Sequence, residues 1–245
     1  MRKSLLILTF SLFWGGSLAQ GAPTTLTFNF YPGNVSGTAR NPTSCSNTAS
    51  ACESNAFTPT QTFTTDGVSI IASGFYNGNA SNLSWKNQGS SPSELGLGLY
   101  NDSTGDGEIP YSGAGLSSND FVQLNISSLI GTNLKTFSMT FSSVTASEGW
   151  AVYETNTACT SHCTLSSLSA TLLMSGGSST DGVAKTFTTL PTDKYLDVIE
   201  TSPPTSNNIL IESLSATVTP EPASMLLFGT GLLCIGFAMR RKLFV

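Results

Sequence analysis

Most of the chain alternates apolar and polar residues in short runs, and this period of two is typical of half-buried β-strands. In one clear case Ser138 and Thr140 separate Phe137, Met139 and Phe141. The other strand candidates are residues 26–31, 68–76, 95–100, 122–126, 149–153, 169–174, 184–188, 195–200 and 209–218.

Turn-forming residues (Gly, Asn, Ser and Pro) cluster between these runs, at residues 77–79, 102–107, 175–179 and 202–208. No amphipathic helical stretch of convincing length lies between the two ends of the chain. About ten short strands with turn-rich joints predict an all-β fold, a jelly-roll-like antiparallel β-sandwich. Residues 33–59, rich in Ser, Thr and Asn, are predicted to form a long loop.

The N-terminus has the pattern of a secretory signal peptide. Arg2 and Lys3 precede an apolar run over residues 5–14, and small residues follow it. We therefore expect a signal peptide over residues 1–19, cut between Ala19 and Gln20. An uncleaved anchor is the alternative, for which the run is short.

The C-terminus carries an uncharged apolar run over residues 223–239, about the shortest length that spans a bilayer as a helix. The basic residues that follow it favour a cytoplasmic C-terminus, with residues 20–218 exported as one ectodomain. These basic residues are Arg240, Arg241 and Lys242. The alternatives are a plain single-pass anchor and a buried core helix.

Before this run, Pro220 and Pro222 hold Thr219 and Glu221 in an extended conformation, which proteases and transpeptidases commonly bind. Residues 219–245, with this proline-flanked glutamate, the short Gly/Leu-rich span and the basic end, resemble the PEP-CTERM sorting signal. That resemblance implies recognition by exosortase and passage through the inner membrane. It also implies a Gram-negative source that makes exopolysaccharide, and release to the cell surface or extracellular matrix.

The charge of the ectodomain excludes one class of partner. Residues 20–218 hold five basic and fourteen acidic residues, a net charge of −9. The remaining acidic residue, Glu221, lies in the tail. A domain so poor in Lys and Arg has no footprint for phosphates, so nucleic acid is not expected as a partner.

The ectodomain cysteines fall into two close pairs, Cys45 with Cys52 and Cys159 with Cys163. In an exported protein such pairs predict two short-loop disulfides, although four cysteines allow three connectivities. A metal site built on Cys159, Cys163 and the only histidine, His162, is the alternative.

The loop that contains Asp102, Asp106 and Glu108 is the best candidate for a metal site. Carboxylate and carbonyl oxygens suit a hard cation, so calcium is the candidate cofactor, and Asp120 is a possible fourth ligand. The spacing is not that of an EF-hand, and an ordinary solvated turn is the alternative.

Catalysis has little support, because no nucleophile motif accompanies His162. Asp197 and Glu200 on a candidate strand are either a carboxyl pair for glycoside hydrolysis, which is set by space and not by spacing, or residues solvated at a strand edge. The aromatic residues Trp85, Trp150, Tyr76 and Tyr153 suit either a sugar-stacking face or the core. We therefore expect a non-catalytic structural or adhesive protein. The first alternative is a carbohydrate- or calcium-binding module, and the second is a secreted hydrolase.

Overall fold

The computed structural model describes residues 22–30, 58–88, 94–100, 107–145, 147–202 and 208–219. Within these ranges residues Pro23–Val218 form one compact unit. Its strands are β1 (Thr24–Asn29), β2 (Thr60–Thr65), β3 (Val68–Tyr76), β4 (Asn79–Ser81), β5 (Leu83–Gln88), β6 (Glu94–Leu99), β7 (Ile109–Pro110), β8 (Phe121–Asn125), β9 (Asn133–Ser142), β10 (Gly149–Thr155), β11 (Thr171–Gly177), β12 (Lys185–Thr186), β13 (Tyr195–Glu200) and β14 (Asn208–Thr219).

The strands form two seven-stranded sheets. The first has the order β12-β9-β14-β6-β5, and β1 and β7 also pair with β14. The second has the order β11-β10-β13-β8-β3-β2, with β4 paired to β3. Two short 3₁₀ turns cover Gly115–Ser117 and Ser178–Thr180. The predicted all-β antiparallel fold is confirmed, while the jelly-roll order of strands stays a prediction.

One apolar core lies between the sheets, since a single buried cluster takes residues from both. Phe137 and Phe141 of β9 contribute from the first sheet, and Trp150 of β10 and Val198 of β13 from the second. The rings of Phe141 and Trp150 stack across this core with centroids 4.2 Å apart. The alternation in β9 therefore has the predicted cause, because its apolar residues face the opposite sheet.

A smaller apolar cluster lies on the outer face of the second sheet. Residues 156–170, which connect β10 to β11, fold back over this face and bury Phe75, Phe121 and Ile199 there. Thr155 Oγ1 donates to the carbonyl of Leu168 (2.6 Å), which ties the connection to the end of β10. We call residues 156–170 the outer loop.

Several strands escaped the sequence prediction, namely β2, β4, β5 and β7. The Asp66–Gly67 pair, which turns between β2 and β3 with positive φ at both residues, is a signal that could have revealed β2. The predicted turn over residues 175–179 was wrong in part. β11 continues to Gly177, because glycine and serine are tolerated on an edge strand that packs little.

No helix in the described ranges is long and apolar enough to cross a membrane. The predicted signal peptide (residues 1–19) and transmembrane helix (residues 223–239) lie outside those ranges and stay predictions.

Candidate functional site

Most of the residues predicted to form sites lie outside the described ranges, and their roles stay predictions. They are Ala19, Gln20, Cys45, Cys52, Asp102, Asp106, Pro220, Glu221, Pro222, Arg240, Arg241 and Lys242. Glu108, Cys159 and Cys163 can be located.

Glu108 forms a buried ion pair on the outer face of the first sheet. Lys86 Nζ donates to Glu108 Oε1 at 2.6 Å, and Ser143 Oγ donates to the same oxygen at 2.9 Å. Both charged side chains are less than a tenth exposed. Glu108 as a calcium ligand stays a prediction, and a cation there would have to compete with the Lys86 ammonium for this carboxylate.

Glycine in β6 allows the chain to bring Glu108 to this position. A Cβ at Gly98 would overlap the carbonyl oxygen of Gly107, so only glycine lets the segment before β7 cross over β6. Lys86 of β5 lies opposite Gly96 in the register, which leaves room above the sheet for its long side chain. Gly96 and Gly98 thus leave the space that the Lys86–Glu108 ion pair needs above the sheet.

The carboxylate of Asp120, which the sequence suggests as a fourth calcium ligand, binds a backbone amide. Its Oδ1 accepts from the amide of Asn77 at 2.5 Å, at the turn between β3 and β4. Burial raises the pKa of Asp120, and this hydrogen bond opposes the rise. Among the described residues no three His, Cys, Asp or Glu side chains are grouped so as to hold a metal ion.

Cys159 and Cys163 are joined by a disulfide in the outer loop, with Cα atoms 5.9 Å apart. The amide of Cys163 donates to the carbonyl of Gly78 (3.0 Å), and that of Leu165 to Ser118 (3.2 Å). The outer loop is thereby fixed to the second sheet. Neither sulfur is available as a thiolate ligand for the alternative metal site with His162.

Under this loop lies a fully buried carboxyl group, that of Asp197 in β13. Its Oδ1 accepts from Gln123 Nε2 (2.8 Å), and Gln123 Oε1 accepts from the amide of Cys159 (3.0 Å). Asp197 Oδ2 has no hydrogen-bond partner among the described residues. Burial raises the pKa of Asp197 to about 7, and the Gln123 hydrogen bond opposes the rise only in part.

Glu200 and Glu148 are two further buried carboxyl groups, which lie close to each other at one end of the sandwich. Glu200 is fully buried, and its Oε1 accepts from the amides of Gly149 (3.3 Å) and Ser202 (2.8 Å). Burial raises the pKa of Glu200 to about 7, helped by the nearby charge of Glu148. Glu148 in turn accepts from the amides of Thr145 and Asn208.

The solvated strand edge expected for Asp197 and Glu200 is therefore wrong, since neither residue is exposed. For Asp197 the physical reason is the outer loop, which folds over a sheet face that strand periodicity alone would leave in water. Each carboxyl group instead binds groups of its own chain.

The aromatic residues also belong to the interior. Trp85 is 2% exposed, Trp150 0% and Tyr153 7%, while Tyr76 is half-buried. Trp150 Nε1 donates to Thr180 Oγ1 (2.8 Å), which satisfies the indole inside the core. The core alternative is therefore confirmed for Trp85, Trp150 and Tyr153.

An open groove lies at one margin of the sandwich, formed by residues 129–134 and 190–192, with a volume of about 370 Å³. Of the described residues, leucine, isoleucine, glycine, proline, threonine and asparagine line it, and none of these has an ionisable side chain. It can offer a ligand shape, hydroxyl and amide contacts.

The architecture defines the class of protein as an all-β sandwich whose last strand continues directly into a C-terminal tail. Residues 218–242 of this chain match the PEP-CTERM protein-sorting motif. The chain thus carries this motif, as its sequence predicts, and the match begins inside β14, which ends at Thr219. No curated protein and no solved structure matches the chain. The motif implies recognition by an exosortase-type enzyme, export, and transient membrane anchoring before release.

Proposed function

We propose that this is a cell-surface or extracellular-matrix protein with a non-catalytic structural or adhesive role linked to exopolysaccharide. The observation that carries the proposal is the sorting motif at residues 218–242, which continues the last strand of the sandwich without a spacer. A protein addressed in this way acts where the motif delivers it.

The pairing of β1 with β14 supports a module displayed from one end. Thr24 lies opposite Val218, so the first and last strands of the ectodomain start and finish side by side. The two strands that lead along the chain to the predicted signal peptide and to the sorting motif are therefore neighbours in one sheet.

The buried carboxyl groups also support a structural role. Glu108 binds Lys86 and Ser143, and Asp197 binds Gln123. A general acid or base must reach a substrate, whereas Glu108 and Asp197 are buried and bind groups of their own chain.

The experiment replaces Pro220 and Pro222 with Ala in the full chain and follows its release from the membrane fraction of a host that contains the processing enzyme. Loss of the stiff extended segment should block release and leave the denaturation midpoint of the sandwich unchanged. Pro203→Ala with Pro204→Ala is the matched control, since it removes a second proline pair outside the motif. Unchanged release of the motif variant would contradict the proposal.

The second candidate is a carbohydrate- or calcium-binding module, favoured by the groove over residues 129–134 and 190–192. Glycan-array binding of the released protein, or a melting temperature that rises with calcium, would support it over the structural role. A hydrolase would instead generate new reducing ends when mixed with the exopolysaccharide of the host.

A further inference from the structure

Strand β11 is the outermost strand of the second sheet and packs unlike its neighbours. All seven of its residues are exposed or half-buried, whereas β10 and β13 are each buried at all but one position. No described strand pairs with its outer side. Such an edge presents backbone N–H and C=O groups to any chain that can pair with them.

The usual protections of an exposed edge are mostly missing from β11. Residues 163–180 contain no charged residue and no proline. By contrast, every exposed or half-buried residue of β2, the other outer strand of this sheet, is a polar threonine. In the first sheet, the outer strand β12 is only two residues long and carries Lys185. The only such device in β11 is a bulge at Leu173, where the register with β10 shifts.

The edge is also apolar. Leu172 is 52% exposed, and Leu173 and Met174 are half-buried against the margin of the core. Burial of these side chains by a partner strand would remove apolar surface from water at about 25 cal/mol per Å².

We propose that β11 pairs antiparallel with β11 of a second copy of this chain about a two-fold axis. Its first half is bulky (Thr171, Leu172, Leu173) and its second half is small (Ser175, Gly176, Gly177). A two-fold antiparallel pairing places each half against the opposite half of the copy, so large side chains meet small ones. The strand is in this sense complementary to itself.

Charge favours this place of contact between copies. The ectodomain carries a net charge of −9, so two copies repel each other over most of their surface. The uncharged edge is where that repulsion is weakest. Because β11 is seven residues long and has a bulge at Leu173 in its pairing with β10, the interface is short and the association is weak and dependent on concentration. The pairing is a property of the sandwich, so its failure would leave the proposed role standing.

The test is sedimentation velocity of the full chain in mild detergent over a wide range of concentrations. The wild type should show a reversible dimer, and Leu172→Glu and Ser175→Glu should each weaken self-association by about tenfold or more. Both positions are exposed, so the variants should keep the circular dichroism spectrum of the wild type. Ile71→Glu is the matched control, because Ile71 is a 36% exposed strand residue near the opposite edge of the same sheet.

A wild type that stays monomeric at every concentration would overturn the proposal, as expected if another segment of the same chain covers β11. A dimer that resists both Glu variants, or that Ile71→Glu abolishes equally, would overturn it too.

Discussion

Glu108 and Asp197 are both buried carboxyl groups on outer faces of the sandwich, but they lie in opposite electrostatic environments. Glu108 faces the ammonium of Lys86 at 2.6 Å, whereas the partner of Asp197 among the described residues is the neutral amide of Gln123. A buried charge is tolerated when an opposite charge compensates it; otherwise the group tends to take up a proton. The same residue chemistry thus gives an ion pair on one sheet and a pH-sensitive acid on the other.

The largest expected effect comes from Lys86→Met, which removes the ammonium that faces the buried carboxylate of Glu108 and keeps Ser143 as a neutral donor to it. We expect the free energy of unfolding to fall by about 3–5 kcal/mol, measured by urea denaturation at pH 7. The double variant Lys86→Met with Glu108→Met should recover most of the loss. A loss below about 1 kcal/mol for the single variant would mean that the pair behaves as a surface pair.

The second prediction concerns pH. Burial raises the pKa values of Asp197 and Glu200 to about 7, so the folded state favours their neutral forms. Stability is then greatest below the ordinary pKa, falls as pH rises from about 4 to about 7, and is level above that. Asp197→Asn should flatten part of this decline and raise the free energy of unfolding at pH 8 by roughly 2–4 kcal/mol.

Asp66→Asn, at an exposed turn, is the control for that experiment and should leave the pH profile unchanged. If Asp197→Asn destabilises the protein at pH 8 as much as at pH 4, the carboxyl group is ionised in the fold and the comparison with Glu108 is wrong.

The smallest effect is expected from Cys159→Ser with Cys163→Ser. The disulfide closes a loop over a sequence separation of 4, which corresponds to about 2 kcal/mol in the chain-entropy account. Because the outer loop covers Asp197, its loosening should also admit water and reduce the fall in stability between pH 4 and pH 7. Ser161→Ala in the same loop is the control. A pH profile identical to that of the wild type would show that the disulfide does not keep Asp197 dry.

The fold could be predicted from the sequence where one sheet face meets the core. The alternation of β8 and β9 identified both strands, since Phe137, Phe141 and Leu124 point inward. β5 was missed although Leu83, Ser84, Trp85 and Lys86 alternate apolar and polar residues, and its polar side chains Ser84 and Lys86 are buried as well as its apolar ones. Strand periodicity reports one buried face and cannot report a sheet covered on both.

The candidate sites were less predictable because they depend on segments that fold back over the sheets. The outer loop covers Asp197, and residues 107–108 lie against Gly98 of β6, where Glu108 meets Lys86. Neither return path has a periodic signal. Gly96 and Gly98 were the one local clue, because glycine in a strand indicates that another backbone segment passes close by. The sequence does not indicate which segment that is.

The C-terminal residue of the mature protein tests the central claim most directly. It should be measured by mass spectrometry on cells with and without the exosortase-type enzyme. We predict a chain that ends near the motif prolines when the enzyme is present and at Val245 when it is absent. A chain that ends at Val245 in both cells would contradict sorting through residues 218–242 and would favour a plain membrane anchor.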